Sequence, residues 1–237
     1  MYEAAYARAL SMMSQGTGAL EIKSGYGLTP ETELKMLRVI ARLKKALPIP
    51  VKATFLGAHA FPAEFKTNHE GYIHSLLNGM LPAIANEQLA DYIDVFCDRG
   101  FFSPDETSRI LEAGAHYGLK AKIHGNEMGL TGGVQVAVKH KALSVDHLEH
   151  LGDEELELLG TSQTIATVLP GTCFFLGIPY APARQLIDSG AAVAIASDHN
   201  PGSAPNGRMG FMLSLACIKM KLLPQEALNA CTVNAAF

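Results

Sequence analysis

Seven short apolar runs, rich in β-branched residues, alternate along this chain with longer segments whose apolar residues recur at helical spacing. That alternation is typical of βα units on a parallel sheet, because a parallel strand is buried on both faces and its crossover is usually a helix. The predicted strands cover Ala19 to Lys23, Pro50 to Leu56, Tyr92 to Cys97, Leu119 to Ile123, Leu143 to Val145, Thr164 to Leu169 and Ala191 to Ala196.

Two sequence patterns between these strands predict the starts of helices. Thr29 followed by Pro30 predicts an N-cap and a proline in the first helical turn, and Ser103-Pro104-Asp105-Glu106 has the form of a capping box. The stretch from Phe61 to Asn78 is longer than an ordinary connection, so we expect an elaborated loop that contains some helix.

Seven successive parallel strands predict an α/β fold of the TIM-barrel-like (β/α)₈ type with one strand too few. A barrel that lacks a strand exposes two strand edges, which natural proteins avoid. A doubly wound open sheet is the alternative, but it places ligands in one crevice, whereas polar residues here follow almost every strand. Either the sheet is open, or an eighth strand lies outside this sequence.

Composition narrows the classes of protein. The chain has 237 residues, enough for one large domain, 1–237, and 48% hydrophobic residues against 18% charged residues exclude disorder. A formal net charge of -4 without a basic cluster argues against nucleic acid as a partner. Four scattered cysteines fit reduced thiols in the cytoplasm, and neither a signal peptide nor a long apolar run indicates a membrane.

Polar side chains cluster directly after the predicted strands. His59, His124, His147 and His199 follow four different strands, and Glu127 and Asp198 add carboxylates. A single histidine is more often structural than functional, but several on one rim suit a borderline divalent metal such as Zn²⁺ or Fe²⁺. A catalytic metal favours hydrolysis, in which Asp198 could take a proton from water and Glu127 could protonate a ring nitrogen.

Several long strings carry a family resemblance. LEIKSGYGL, KATFLGAHAFP, VFCDRGFFS, KIHGNEMG, SVDHLEHL, ATVLPGTCFFL and IASDHNPGS follow one another in this order. Together they resemble the imidazolonepropionase family of the metal-dependent amidohydrolase superfamily, and the match runs through nearly the whole chain. The resemblance implies hydrolysis of the cyclic amide C–N bond of 4-imidazolone-5-propanoate to N-formimidoyl-L-glutamate, in histidine degradation, with one divalent metal, Zn or Fe.

The resemblance also implies roles for individual residues. It makes His124 and Asp198 metal ligands, with Asp198 doubling as the general base. Glu127 takes part in catalysis and in substrate binding, and His147, which we favour over His150, orients the attacked carbonyl or the water. The remaining residues implied in substrate binding are Tyr26, His59, Asn200, Gly202 and Ser203.

The chain departs from the family pattern in three ways. The family's H-x-H pair after the first barrel strand, a downstream arginine for the substrate carboxylate and a small β-sandwich domain find no match here. We therefore expect an incomplete barrel, strands 2 to 8 of a longer enzyme, with the β-sandwich absent. With two ligands missing, we expect the 237 residues alone to bind metal poorly and to be inactive. The family further implies a cytoplasmic homodimer.

Two other functions stay open. Related deaminases also place H-x-x-E after a strand, so a metal-dependent aminohydrolase acting on a heterocycle is one alternative, which ammonia release would reveal. A non-catalytic partial barrel that binds a small ligand or a partner through its open edges is the other.

Overall fold

The computed structural model describes residues 1–236, whose seven strands form one sheet in chain order, each pairing in parallel with the next. The strands are β1 (Leu20–Lys23), β2 (Val51–Ala58), β3 (Tyr92–Cys97), β4 (Lys120–Gly125), β5 (Ser144–His147), β6 (Ile165–Val168) and β7 (Val193–Ile195). All seven predicted strands are confirmed, most of them with ends shifted by one or two residues. The sequential order contradicts a doubly wound sheet, in which the strand order reverses midway.

Helices connect the strands along the outside of the sheet. They are α1 (Tyr2–Met13), α2 (Pro30–Ala46), α3 (His69–Ser75), α4 (Leu81–Glu87), α5 (Pro104–His116), α6 (Gly133–Lys139), α7 (Asp153–Thr161), α8 (Pro170–Leu176), α9 (Ala183–Asp188), α10 (Met209–Lys219), α11 (Pro224–Cys231) and α12 (Val233–Ala236). A 3₁₀ turn, Ala63–Phe65, and a π-helical turn, Leu76–Met80, complete the predicted elaborated segment between β2 and β3. Among residues 1–236, no helix combines the length and the apolar character that a membrane span needs.

Both predicted helix starts are confirmed at atomic detail. The Thr29 side chain accepts a hydrogen bond from the amide of Thr32, and Pro30 occupies the first turn of α2. Ser103 and Glu106 form the reciprocal hydrogen bonds of a capping box at the start of α5. These caps satisfy amides that helix starts leave without partners, so each helix begins directly after the loop that follows a strand.

The sheet is strongly curled. Lys23 on β1 reaches Asp146 on β5, with 3.2 Å between Nζ and Oδ2. In a flat sheet these strands would be four spacings, about 19 Å, apart, more than a lysine side chain bridges. The strands therefore wrap around a common interior as in a barrel. Within residues 1–236, β1 and β7 do not pair with each other, so the barrel is incomplete, and the sheet has no second sheet packed on it as a sandwich.

Charged residues, rather than the usual branched aliphatic ones, fill the barrel interior. Lys122 on β4 lies 3.0 Å from Glu21 on β1 and donates a hydrogen bond to Ser144. Lys23 lies 2.6 Å from Asp94, whose side chain is fully buried. Because strand residues alternate between the two faces of a sheet, the neighbours of these residues point outward into the apolar layer beneath the helices. That layer includes Val95, Ile123, Val145, Leu37, Ile40, Leu43, Ile110 and Leu111.

The Lys23 ammonium should be a major contributor to stability. We expect Lys23→Met to lower the free energy of unfolding by roughly 3 kcal/mol, because it leaves the buried Asp94 and Asp146 carboxylates without their shared cation. Urea titration measures the loss. Lys44→Met, which removes an exposed ion pair with Asp91, is the matched control and should cost less than about 1 kcal/mol. Equal effects of the two substitutions would contradict a structural role for the interior cluster.

The same cluster should make the fold sensitive to acid. Burial raises the pKa of Glu21, but the cations of Lys122 and Lys23 outweigh it and hold that pKa at about 2. A carboxylate with a lowered pKa contributes stability above its ordinary pKa and loses that contribution as the pH falls toward 2. We expect the urea midpoint to fall between pH 5 and pH 2, and Glu21→Gln to make the fall shallower. Parallel pH curves for the two proteins would refute this.

Candidate active site

The candidate site lies at the carboxyl ends of the strands, where parallel strands deliver their following loops to one rim. His124 is the fifth residue of β4 and is 6% exposed. Its ring centroid lies 5.3 Å from that of His147, at the end of β5, and 6.3 Å from that of His59, just after β2. The structure thus brings three of the predicted histidines together on adjacent or nearby strands.

His124 is held from below by a carboxylate. Its Nδ1 lies 3.0 Å from Oδ1 of Asp94, and no residue in the described part of the chain engages its Nε2. Asp94, His124 and Asp146 each offer one ligand atom, and these atoms lie within 4.8 Å of one another. The Lys23 ammonium contacts both carboxylates of this group, so a cation of the protein itself already compensates their negative charge. Burial opposes the ionised forms, but His124 and the cations of Lys23 and Lys122 lower the pKa of both aspartates.

His147 is buried between two carboxylates. Its Nδ1 lies 3.5 Å from Glu127 Oε2 and 3.7 Å from Glu149 Oε2. Burial of His147 opposes its charge, but the contact with Glu149 and the charges of Glu149, Glu127 and Asp198 raise its pKa to about 9. Burial also raises the pKa of Glu127, which the His147 charge only partly offsets. The arrangement therefore favours a charged imidazole beside a carboxyl group that protonates readily.

Glu149 is a participant that the sequence analysis did not single out. Its side chain is 1% exposed, and its Oε1 accepts a hydrogen bond from the Cys173 thiol at 3.3 Å. Its Oε2, 3.7 Å from His147 Nδ1, has no hydrogen-bond partner within residues 1–236. Burial and the neighbouring Glu149 raise the pKa of Cys173, which keeps the thiol protonated as the donor. The sequence contains Glu149 in the string HLEH, but it does not indicate that the Glu149 side chain lies beside His147. That contact is seen only in the structure.

Asp198 lies in the loop after β7. One of its carboxylate oxygens, Oδ2, accepts hydrogen bonds from Thr172 Oγ1 at 2.8 Å and from Asn200 Nδ2 at 3.2 Å. The other oxygen, Oδ1, has no hydrogen-bond partner in the described part of the chain. The charge of Asp198 acts on the pKa of Tyr26, His59, Glu127 and His147. Asp198 is therefore electrostatically coupled to these residues, although it is not part of the Asp94 group.

Asn200, Gly202 and Ser203 bond to one another. The Asn200 Oδ1 accepts the amides of Gly202 at 2.9 Å and Ser203 at 2.8 Å, and its Nδ2 also donates to the Asp198 carbonyl. This is an Asx-type turn that shapes the loop carrying Asp198. The predicted substrate role of these three residues stays a prediction, and their observed bonds are internal to the loop.

Tyr26 and His59 lie on the rim after β1 and β2. The His59 Nδ1 donates to the Gly25 carbonyl at 2.9 Å, which leaves Nε2 as an acceptor, and burial lowers the pKa of His59 so that it is neutral. The Tyr26 ring meets the His59 ring edge-on at 5.2 Å and is 59% exposed. Both side chains are thus available at the rim.

The backbone is strained where these side chains leave the strands. Asn126, His147, Leu148 and Asp198 have φ angles of 57°, 86°, 68° and 49°, in the left-handed region that favours glycine. Such conformations cost of order 1–3 kcal/mol each and are concentrated at functional sites. The cost falls on all three loops that carry predicted catalytic or ligand residues, those after β4, β5 and β7, which supports the location of the site.

Asp98 ties two of these loops together. Its Oδ2 accepts the amides of Glu127 at 2.8 Å and Met128 at 2.9 Å, and its Oδ1 accepts the amide of Arg99 at 2.7 Å. Asp98 directly follows β3 and is 4% exposed. It therefore positions the backbone of Glu127 from a neighbouring strand.

The donor types of His124 and Asp198 suit a divalent metal. A free imidazole Nε2 on His124 and a free carboxylate oxygen on Asp198 are the donor types that Zn²⁺ and Fe²⁺ accept, and the Asp94 contact resembles the carboxylate that commonly supports a ligating histidine. His69 stacks on Phe61 and pairs with Glu106, and His150 is exposed.

Two solved structures illustrate the fold that this chain shares with known proteins. Guanine deaminase from C. acetobutylicum superposes with a TM-score of 0.75 over 99% of this chain and 62% of its own, at 14% identity. Atrazine chlorohydrolase from Arthrobacter aurescens, complexed with zinc and atraton, gives a TM-score of 0.76 over 99% and 58%, at 15% identity. The fold and this rim define an incomplete barrel of the amidohydrolase type.

Sequence relatives identify the family. Imidazolonepropionases from Flavobacterium psychrophilum and Flavobacterium johnsoniae are each 54% identical over all 237 residues, and the one from Geobacillus thermodenitrificans is 46% identical over 236 residues. No protein-family model matches the chain. The chain belongs to the imidazolonepropionase family, which confirms the resemblance, and it spans 56–58% of the length of these relatives.

The Asp98 contacts should hold the Glu127 loop. We expect Asp98→Ala to cost roughly 2–4 kcal/mol of unfolding free energy, because three amides lose a buried carboxylate acceptor. Amide hydrogen exchange should accelerate at Glu127 and Met128. Asp105→Ala, at an exposed carboxylate in the first turn of α5, is the control and should cost less than about 1 kcal/mol. Unchanged exchange in Asp98→Ala would contradict the positioning role.

Proposed function

We propose that this chain forms the main part of the active site of an enzyme that hydrolyses 4-imidazolone-5-propanoate to N-formimidoyl-L-glutamate. The observation that carries the proposal is the position of the buried His147, which lies between the carboxyl groups of Glu127 and Glu149 and beside the ring of His124. Identity of 54% to imidazolonepropionases over all 237 residues supports the same substrate class. We further propose a soluble cytoplasmic protein that acts on a small molecule and, in the whole enzyme, a homodimer.

His124 and Asp198 would hold one divalent ion, zinc or iron, because imidazole and carboxylate donors serve both metals. When bound, the ion polarises the attacked carbonyl and acidifies a water molecule. The deaminases and hydrolases with this fold support such a centre only at the level of the fold.

The residues of the chain supply the proton transfers. Asp198 takes a proton from the attacking water, whose hydroxyl joins the ring carbonyl carbon. His147, charged at neutral pH because its pKa is about 9, stabilises the negative charge that develops on the carbonyl oxygen. Glu127, whose pKa burial raises, donates its carboxyl proton to the ring nitrogen as the C–N bond breaks, and the proton held by Asp198 then restores the carboxyl group of Glu127. Tyr26 and His59 orient the substrate at the mouth.

The proposal is tested in this chain and in a chimera in which it replaces the matching segment of the Flavobacterium johnsoniae enzyme. The chimera should open the imidazolone ring, and the chain alone should show little metal and no turnover. Ammonia release from a heterocyclic amine without ring opening would instead favour the aminohydrolase. A folded chimera with neither activity would favour a non-catalytic barrel.

Glu127 should be essential in the active chimera. We expect Glu127→Gln to lower kcat by roughly 100-fold or more, because the ring nitrogen loses its proton donor. Glu157→Gln, on the exposed side of α7, is the matched control and should leave kcat unchanged. Steady-state kinetics with the imidazolone measures both variants. A Glu127→Gln variant with normal kcat would exclude the proposed proton transfer.

A further inference from the structure

Asp94 connects the charged barrel interior to the candidate site. Its Oδ2 lies 2.6 Å from the Lys23 ammonium, and its Oδ1 lies 3.0 Å from Nδ1 of His124. Both oxygens are thus engaged, and the Asp94 side chain is fully buried. The sequence analysis assigned no role to Asp94 or Lys23.

These contacts determine the tautomer of His124. An aspartate paired with an ammonium at 2.6 Å is ionised, and an ionised carboxylate only accepts hydrogen bonds. The Nδ1 of His124 must therefore carry the proton. In its neutral form the ring has its lone pair on Nε2, the atom left without a partner among residues 1–236.

We propose that Asp94 is a positioning residue that fixes the tautomer and the ring orientation of His124, so that Nε2 is presented as a ligand at the barrel mouth. The value of this arrangement for metal binding rests on the proposed function, whereas the tautomer itself does not. Lys23, which comes from β1, holds Asp94 in place across the curled sheet.

Asp146 provides a matched control. It shares the Lys23 ammonium with Asp94, at 3.2 Å, and accepts a hydrogen bond from Ser144, but it makes no hydrogen bond to His124. Removing either carboxylate therefore disturbs the same ion-pair cluster. Only the removal of Asp94 should change the ring of His124.

We expect Asp94→Asn to change the tautomer of His124 rather than merely to remove the hydrogen bond at Nδ1. In Asp94→Asn, the Lys23 ammonium should attract the amide oxygen, which turns the amide NH₂ toward His124. That NH₂ is a donor, so Nδ1 must become an acceptor and the ring proton must move to Nε2. Asp146→Asn should retain the Nδ1–H form.

Ring nitrogen NMR of the ¹⁵N-histidine-labelled chain at pH 8 tests the proposal, with the His124 signals assigned by their loss in His124→Gln. The expected result is the Nδ1–H form in the unsubstituted chain and in Asp146→Asn, and the Nε2–H form or a mixture in Asp94→Asn. An unchanged tautomer in Asp94→Asn, or an equal change in both variants, would overturn the proposal.

Zinc titration of the chimera supplies the second measurement. In the chimera, Asp94→Asn should weaken zinc binding by about 10- to 100-fold, as loss of a carboxylate behind a ligating histidine commonly does, and Asp146→Asn should change it by less than about threefold. Equal zinc affinity in the chimera and in its Asp94→Asn variant would overturn the proposed presentation of Nε2. A chimera that binds no zinc at all would count against the metal centre of the proposed function, and the NMR result would still decide the role of Asp94.

Discussion

The ammonium of Lys23 is the interaction on which the interior of this barrel depends. It joins β1 to Asp94 on β3 and Asp146 on β5, strands that meet only because the sheet curls. Buried charges are costly unless they are paired and hydrogen-bonded, so the curvature of the sheet and the placement of these charges require each other. The same carboxylate that pairs with Lys23 supports His124, which links the stability of the interior to the geometry of the mouth.

At the mouth, buried charge and backbone strain occur together. His147 is kept charged by two carboxylates that would repel each other without it, and its own backbone lies in the left-handed region. Both features cost free energy, and the apolar layer between strands and helices offsets that cost. The loops of this rim accept these free-energy costs in several places. That is typical of a preorganised functional site rather than of a purely structural scaffold.

The sequence predicted the strands because each buried run ends at a polar loop, and it predicted His124, Glu127, His147 and Asp198 because motifs follow those runs. It did not predict the Lys23 cluster, since pairing between β1 and β5 depends on curvature that no local pattern encodes. A signal was present in the aspartates of YIDVFC and SVDH, which are charged residues within buried strands. The hydrogen bonds between Asn200 and Ser203 were not predictable either. An asparagine side chain that shapes its own loop cannot be distinguished, from the sequence alone, from one that binds substrate.

The carboxylate of Asp98 binds amides of its own loop and of the loop after β4. Barrel enzymes are often regarded as modular, with each loop free to diverge on a constant frame. Here two neighbouring loops share one anchor and cannot diverge separately. Exchanging the loop after β3 alone, in order to change the substrate preference, would also displace Glu127. The loops after β3 and β4 would therefore have to be exchanged together.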